Sequence, residues 1–412
     1  MVAPTRQTRP ATDHQIQLLE GARELFPALI AEMDAALSDI QFETYIFDCT
    51  GSGALVAEAL MRAAERGVRV HLVVDGVGTG RLPEPWHTRL RAAGVRTAVY
   101  SPLGPLGLLL PMRWRRLHRK LCVVDGCVLF CGGINVLDDF HDPNRGQLAE
   151  PRFDFAVRAV GSLVQQAGDT MEQLWWRMRA VRDVRHRRLS LALADMRAAS
   201  AARQARGHAQ QQSQQQRGMR ALLLLRDNVR HRTRIERAYL RAIAQARLEV
   251  IIANAYFVPG GKLRRALILA ARRGVRVQLL LQGRYEYFMQ YHAARPVYGA
   301  LLAAGVQIYE YEPSFLHAKV AVVDAQSRSA WATVGSSNLD PLSLLLAREA
   351  NVVVRDKAFA QQLRARLVRA RDEGGRPVDP HEYAARPWRA RVLDRIAFGI
   401  MRAALWVTGN RY

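Results

Sequence analysis

His118, Lys120 and Asp125 stand in the spacing His-x-Lys-x-x-x-x-Asp, and His317, Lys319 and Asp324 repeat it. A chain of this composition would supply roughly 0.005 copies of that skeleton by chance, so two copies carry information. A turn of small residues follows each copy: Gly132-Gly133-Ile134-Asn135, then Gly335-Ser336-Ser337-Asn338. Residues two apart on a strand share a face, so each histidine points with its lysine. Each aspartate is an odd number of steps from its lysine and faces away, which makes it a structural partner within the motif rather than a base. Two imidazoles and two ammonium groups on one phosphate could run phosphodiester chemistry without metal or other cofactor. One neutral histidine attacks phosphorus while the other, protonated, donates to the leaving oxygen. The lysines, Asn135, Ser337 and Asn338 would meet the non-bridging oxygens.

The chain has 60 basic residues and only four are lysine: Lys120, Lys262, Lys319 and Lys357. Arginine fills almost every site where a generic positive charge will do, yet two of the four lysines sit in the motif. A compact ammonium on a flexible stem fits a crowded phosphate site that a planar guanidinium does not. Each histidine also needs a carboxylate to fix its tautomer. Asp154 lies thirty-six residues after His118 and Glu349 thirty-two after His317, each entering the next predicted strand of its half.

The elements that must carry these residues are duplicated. Ala59–Asp75 (ALMRAAERGVRVHLVVD) matches Ala266–Gln282 (ALILAARRGVRVQLLLQ), and LRAAGV at Leu90 matches LLAAGV at Leu301. Both halves read as a helix closed by glycine, then a nearly continuous apolar strand of the buried parallel kind. Predicted strands are Gln41–Asp48, Val68–Val74 and Arg119–Asp125, with counterparts Leu248–Asn254, Val275–Leu281 and Ala318–Asp324. The fold class is α/β with an internal repeat of about 150 residues. The boundaries are 15–185 and 219–372 for the repeats, 186–218 for a Gln/Arg-rich linker, and 386–412 for an amphipathic C-terminal helix.

One insertion breaks the symmetry. Seventeen residues separate Tyr100 from His118, and five separate Tyr311 from His317. The extra segment, Ser101–Met112, is SPLGPLGLLLPM, with Trp114 and three arginines beside it. It reads as a loop packed on its own half or as a lip that touches lipid. At the C-terminus, Val392, Leu393, Ile396, Ile400, Met401, Ala404 and Leu405 recur at helical spacing between arginines. They fit a helix lying in a membrane interface or one packed on the core.

The formal net charge is +23, so the chain should seek anions such as nucleic acid or an acidic membrane. Met1–Gln17 is polar and has no secretory core, and no apolar run is long enough to span a bilayer. Cys49, Cys122, Cys127 and Cys131 have no disulfide framework and fit reduced thiols.

These motifs resemble the phospholipase D superfamily, whose signature is His-x-Lys-x4-Asp-x6-Gly-Gly/Ser-x-Asn. The first copy fits throughout; the second has ten residues, not six, between Asp324 and Gly335. HRKLCVVDGCVLFCGGIN and GSSNLDPLSL further resemble the bacterial cardiolipin synthases, B type, over about residues 15 to 372. The resemblance implies two pseudo-symmetric domains, each a mixed β-sheet flanked by helices, with the active site at their interface. It also implies no metal, a phosphohistidine intermediate, and His118 as nucleophile with His317 as acid/base. The implied reaction is phosphatidyl transfer to phosphatidylglycerol, from phosphatidylglycerol or phosphatidylethanolamine. The implied setting is a monomer with an internal pseudo-dimer, peripheral on the cytoplasmic face of an anionic inner membrane. A lipid hydrolase or a nuclease of the same superfamily would use the same residues; the apolar insertion and tail argue against nucleic acid.

Overall fold

The structure is a computed structural model. It describes residues 11–104, 111–142, 145–185, 218–227, 231–284, 288–340 and 347–407. The linker at 186–217 and half of the Ser101–Met112 insertion, residues 105–110, therefore lie outside the described residues. So do the side chains of Met401, Ala404, Leu405 and Trp406 on the terminal helix.

Each half lays down the same strand plan. In the first, Asp39–Thr44, Arg69–Asp75 and Arg96–Tyr100 run parallel, joined by helices Ser52–Glu65 and Trp86–Ala92. Lys120–Val124 returns antiparallel beside Asp39–Thr44, and Val128–Gly132 and Phe155–Val160 extend the sheet. In the second half, Glu249–Asn254, Arg276–Gln282 and Gln307–Tyr311 are the parallel set. Lys319–Val323, Trp331–Gly335 and Ala347–Arg355 are the antiparallel set. The motif strands are buried along their whole length, as their unbroken apolar sequence requires.

The two sheets are not separate. Ala11–Glu20 pairs with Phe155–Val160, Met219–Arg226 pairs with Ala347–Arg355, and these two added strands pair with each other. The result is one 16-stranded sheet with the two halves end to end. Joining the inner edges satisfies backbone groups that two isolated sheets would leave open. This strand at the N-terminus was missed in the sequence, although Gln15-Ile16-Gln17-Leu18 alternates as a half-buried strand should. The opening strand of the first half also begins earlier, at Asp39, and stops at Thr44 rather than Asp48. The four extra residues after Asp324 lengthen the hairpin before Trp331, away from the motif strand.

Helices cover both faces. One core lies between the first-half sheet and helices Gly21–Ala35 and Ser52–Glu65, and its counterpart lies under Arg234–Gln245 and Gly261–Arg272. A third core runs across the seam, built from both halves and covered by Leu163–Arg185 and Lys357–Gly374. The seam is therefore a packed interior, which holds the two motif strands in fixed relation.

Two short crossings decide where the histidines go. Arg116–Leu117 pairs in parallel with Ala347–Arg348 of the other half. Leu316 bridges in parallel to Phe153, again across the halves. Each motif histidine is thus delivered to the partner half just before its strand begins.

Candidate active site

His118 enters from the first crossing, and its backbone N–H donates to the Arg348 carbonyl at 3.1 Å. Its Nδ1 lies 3.0 and 3.2 Å from the two carboxylate oxygens of Glu349. The Tyr45 ring packs against it edge-on, with centroids 4.9 Å apart. Lys120 Nζ donates to the His118 carbonyl at 2.8 Å and stands 5.5 Å from the centre of the Tyr45 ring.

His317 repeats the arrangement. Its backbone N–H donates to the Phe153 carbonyl at 2.9 Å, and its Nδ1 lies 2.6 Å from Asp154 Oδ2. The other Asp154 oxygen accepts the Phe155 N–H at 2.8 Å. Lys319 Nζ donates to the His317 carbonyl and sits 4.0 Å from Asp154.

Chain order placed each carboxylate with the histidine of its own half. The structure exchanges them: Glu349 holds His118 and Asp154 holds His317. The crossings explain this, because each lays a histidine beside the strand of the opposite half that carries a carboxylate. The site is incomplete in either half alone. With Nδ1 held by a carboxyl group, each ring leaves Nε2 as the reactive nitrogen.

The charges converge as well. Burial pushes Lys120 down to about 7, and Lys319 pushes the same way. Burial lowers His118, with Glu349 opposing and both lysines adding to the fall. His317 is driven well below its ordinary value by burial, then by Lys319, Lys120 and Arg152. A phosphodiester anion between the lysines would relieve all of these shifts.

The two carboxylates differ. Burial lifts Asp154 to about 7 against the pull of Lys319, and the charge of Asp139 adds to the lift. Burial acts upward on Glu349 too, but His118, Lys120 and the buried Arg226 outweigh it and hold the carboxyl low. Ser336 also donates its hydroxyl to Glu349. Near and just below pH 7 the Asp154–His317 pair therefore carries a proton that the Glu349–His118 pair lacks.

Asp125 and Asp324 stand outside this centre. Asp125 accepts the N–H groups of Leu37, Ser38 and Asp39 at 2.8 to 2.9 Å; Asp324 accepts those of Arg247, Leu248 and Glu249 at 2.8 to 3.0 Å. Both adopt positive φ, 51° and 48°, to clamp the turn before the opening strand of their half. Burial works against the Asp125 anion, yet those N–H groups hold its pKa below the usual range.

Asn135 and Asn338 sit at matching places in the turns after the motif strands. Asn135 Oδ1 accepts from Ile46 N at 3.2 Å, while Asn338 Oδ1 is buried with no hydrogen-bond partner among the described residues. The Ser337 hydroxyl donates to the Asn338 carbonyl at 3.4 Å and its N–H to Asn351 Oδ1 at 3.3 Å, whereas the hydroxyl of its neighbour Ser336 reaches the carboxylate. Sequence reasoning missed Ser336, Arg226 and Asp139. The first was legible as the Gly-to-Ser difference between the turns. The other two carry no motif and become visible only when the strands pair.

Comparison with known proteins gives the family. The family described as "Cardiolipin synthase, PLD-like domain" matches residues 29–146 and 239–370. The chain is 37% identical over 398 residues to cardiolipin synthase B of Escherichia coli K12, covering 94% of this chain and 88% of that one. It is 30% identical to a cardiolipin synthase of Geobacillus kaustophilus, covering 93% and 71%. Among solved structures, phosphatidylserine synthase of Haemophilus influenzae superposes with a TM-score of 0.63 over 97% of this chain and 96% of that one, at 12% identity. A polyphosphate kinase of Porphyromonas gingivalis gives 0.53 over 86% of this chain and half of its own, at 11% identity. At such identities these two show the shared fold.

Proposed function

The chain belongs to the cardiolipin synthase family with phospholipase D-like domains, and from that premise we propose that it joins two phospholipids into cardiolipin by phosphatidyl transfer. The observation that carries the reading is the crossed pair of carboxylate-bound histidines, each with a lysine on its own carbonyl. His118 Nε2 attacks the donor phosphorus, and the P–O bond to the leaving alcohol breaks. The proton that this alcohol needs comes from His317, whose pair with Asp154 carries one near neutrality. Lys120, Lys319, Asn135 and Asn338 stabilise the phosphoryl oxygens. The terminal hydroxyl of phosphatidylglycerol then attacks, His317 takes its proton, and the P–N bond to His118 breaks. Atoms balance: one phosphatidyl group moves, and glycerol or ethanolamine leaves according to the donor.

The substrates are lipids, and the surface offers a place to meet them. Among the described residues no helix is long and apolar enough to cross a membrane. Helix Trp388–Val407 instead leaves Trp388, Val392, Leu393, Ile396 and Ile400 exposed along one side. On its other side, Asp394 bonds His292 at 2.7 Å and Arg386 at 3.0 Å, which fastens the helix to Phe288–Leu302. The exposed stripe between arginines suits an anionic headgroup layer. The chain would work as a monomer, its halves forming an internal pseudo-dimer, on the cytoplasmic face of the membrane.

The test is to incubate the protein with phosphatidylglycerol vesicles, with and without phosphatidylethanolamine, and to analyse lipids and released alcohols. Cardiolipin with glycerol supports synthesis from two phosphatidylglycerols, and ethanolamine release identifies the other donor. Phosphatidic acid alone would make the protein a hydrolase. Plasmid cleavage without lipid turnover would reject the reading.

A further inference from the structure

The reaction brings together two phosphodiester anions. The lysines serve the one that reacts, and the acceptor's own phosphate needs a second cationic seat. In an in-line displacement the acceptor hydroxyl enters where the leaving alcohol departed, on the His317 side. Three glycerol carbons separate that hydroxyl from the acceptor's phosphorus, roughly 6 Å at ordinary bond lengths. Phe315 lies two residues before His317 on the extended segment that bridges to Phe153, so the two side chains share a face. Two residues of extended chain span roughly 6.6 Å, so a cation held over Phe315 lies about one glycerol unit from His317.

Two guanidiniums occupy that place. The hairpin of His141–Asp142 and Gly146–Gln147 follows the first small-residue turn and reaches toward the second half. It brings Arg145 Cζ to 5.4 Å and Arg152 Cζ to 5.7 Å from the centre of the buried Phe315 ring. Arg152 is anchored through Nη2 to Asp142 Oδ2 and the His141 carbonyl, both at 3.1 Å. Arg152 also acts on His317 and on Asp139, and the forked donors of a guanidinium match phosphate oxygens. The opposite rim is built otherwise. There Arg116 holds the position equivalent to Phe315, and Asp75 neutralises it at 3.2 Å.

We propose that Arg145 and Arg152, seated on Phe315 beside His317, bind the phosphate of the acceptor phospholipid and so select an anionic lipid alcohol over water or a neutral alcohol. The proposal rests on the phosphatidyl-transfer reading and adds the subsite that makes its acceptor a second phospholipid. Phosphatidylglycerol serves as donor throughout the test, with either phosphatidylglycerol itself or ethanol as acceptor, and cardiolipin and phosphatidylethanol are counted together. Arg145→Gln should lower the cardiolipin-to-phosphatidylethanol ratio about tenfold, the loss of one charged hydrogen-bonding contact. Arg152→Lys keeps the charge but loses the fork, and should lower the ratio about threefold. An unchanged ratio, or equal loss of both products, would overturn the subsite. Wild-type protein that forms phosphatidylethanol but never cardiolipin would overturn the functional reading first, and the subsite with it.

Discussion

Around Glu349, which serves His118, the second half places the Ser336 hydroxyl and the buried guanidinium of Arg226, which pairs with Glu349 in the sheet register. Around Asp154, which serves His317, the first half places Gly133 and Gly21 at the matching positions. A Cβ on Gly133 would strike the Asp154 carboxylate, and one on Gly21 would press on Asp139. One carboxylate is therefore held by a donor and a cation. The other, with no arginine or serine at those places, is lifted by burial against the pull of Lys319, Asp139 adding to the lift, and keeps its proton to about pH 7. A duplicated scaffold has been given two proton duties by a few residues behind the histidines. The unprotonated pair suits a nucleophile and the proton-bearing pair suits a general acid.

The largest effects should separate those duties. His118→Ala and His317→Ala should each abolish cardiolipin formation. With a donor whose leaving group needs no proton, His317→Ala should still form the enzyme adduct and His118→Ala should not; equal failure would erase the distinction between the halves. Asp154→Asn and Glu349→Gln should each slow the reaction on the order of 10²- to 10³-fold, the first by losing the proton held behind His317 and the second by losing the charge behind His118. The pH profile of kcat/KM adds a sharper contrast. Asp154 and Lys120 are protonated below about 7, so the rate should fall as pH rises through 7. His118 must be neutral, and its pKa lies below 6.5, so the acid limb lies below that value. Asp154→Asn should weaken the alkaline limb, and Glu349→Gln should retain it.

Smaller changes test the causes. Lys120→Arg should cost about tenfold or more in rate, because a guanidinium cannot take the place of an ammonium packed on Tyr45 and the His118 carbonyl. Asp139→Asn removes the acid beside Asp154 and should move the alkaline limb to lower pH. Ser336→Ala deletes one hydrogen bond to Glu349 and should cost about fivefold, near 1 kcal/mol. At the membrane, Ile396→Glu with Ile400→Glu should reduce pelleting with phosphatidylglycerol vesicles while leaving turnover in detergent micelles. Unchanged pelleting would remove that helix from the account.

The duplication, the motif strands and the catalytic residue types were legible because buried parallel strands and an eight-residue spacing leave local marks. The crossing of Glu349 and Asp154 between halves was not, because it depends on two-residue pairings such as Arg116–Leu117 with Ala347–Arg348 that no periodicity announces. Arg226 reads in sequence as one arginine among many, and Gly21 as a helix start. Their meaning comes only from the register that sets each against a catalytic carboxylate. Ser336 and Ser337 are adjacent and chemically alike, and only the backbone path of the turn decides which one reaches Glu349.

The most direct test is to trap the intermediate. Wild-type protein mixed briefly with phosphatidylglycerol, quenched in base and digested, should carry a phosphatidyl group on the peptide containing His118 and none on that containing His317. An adduct on His317 would contradict the division of labour between the two halves.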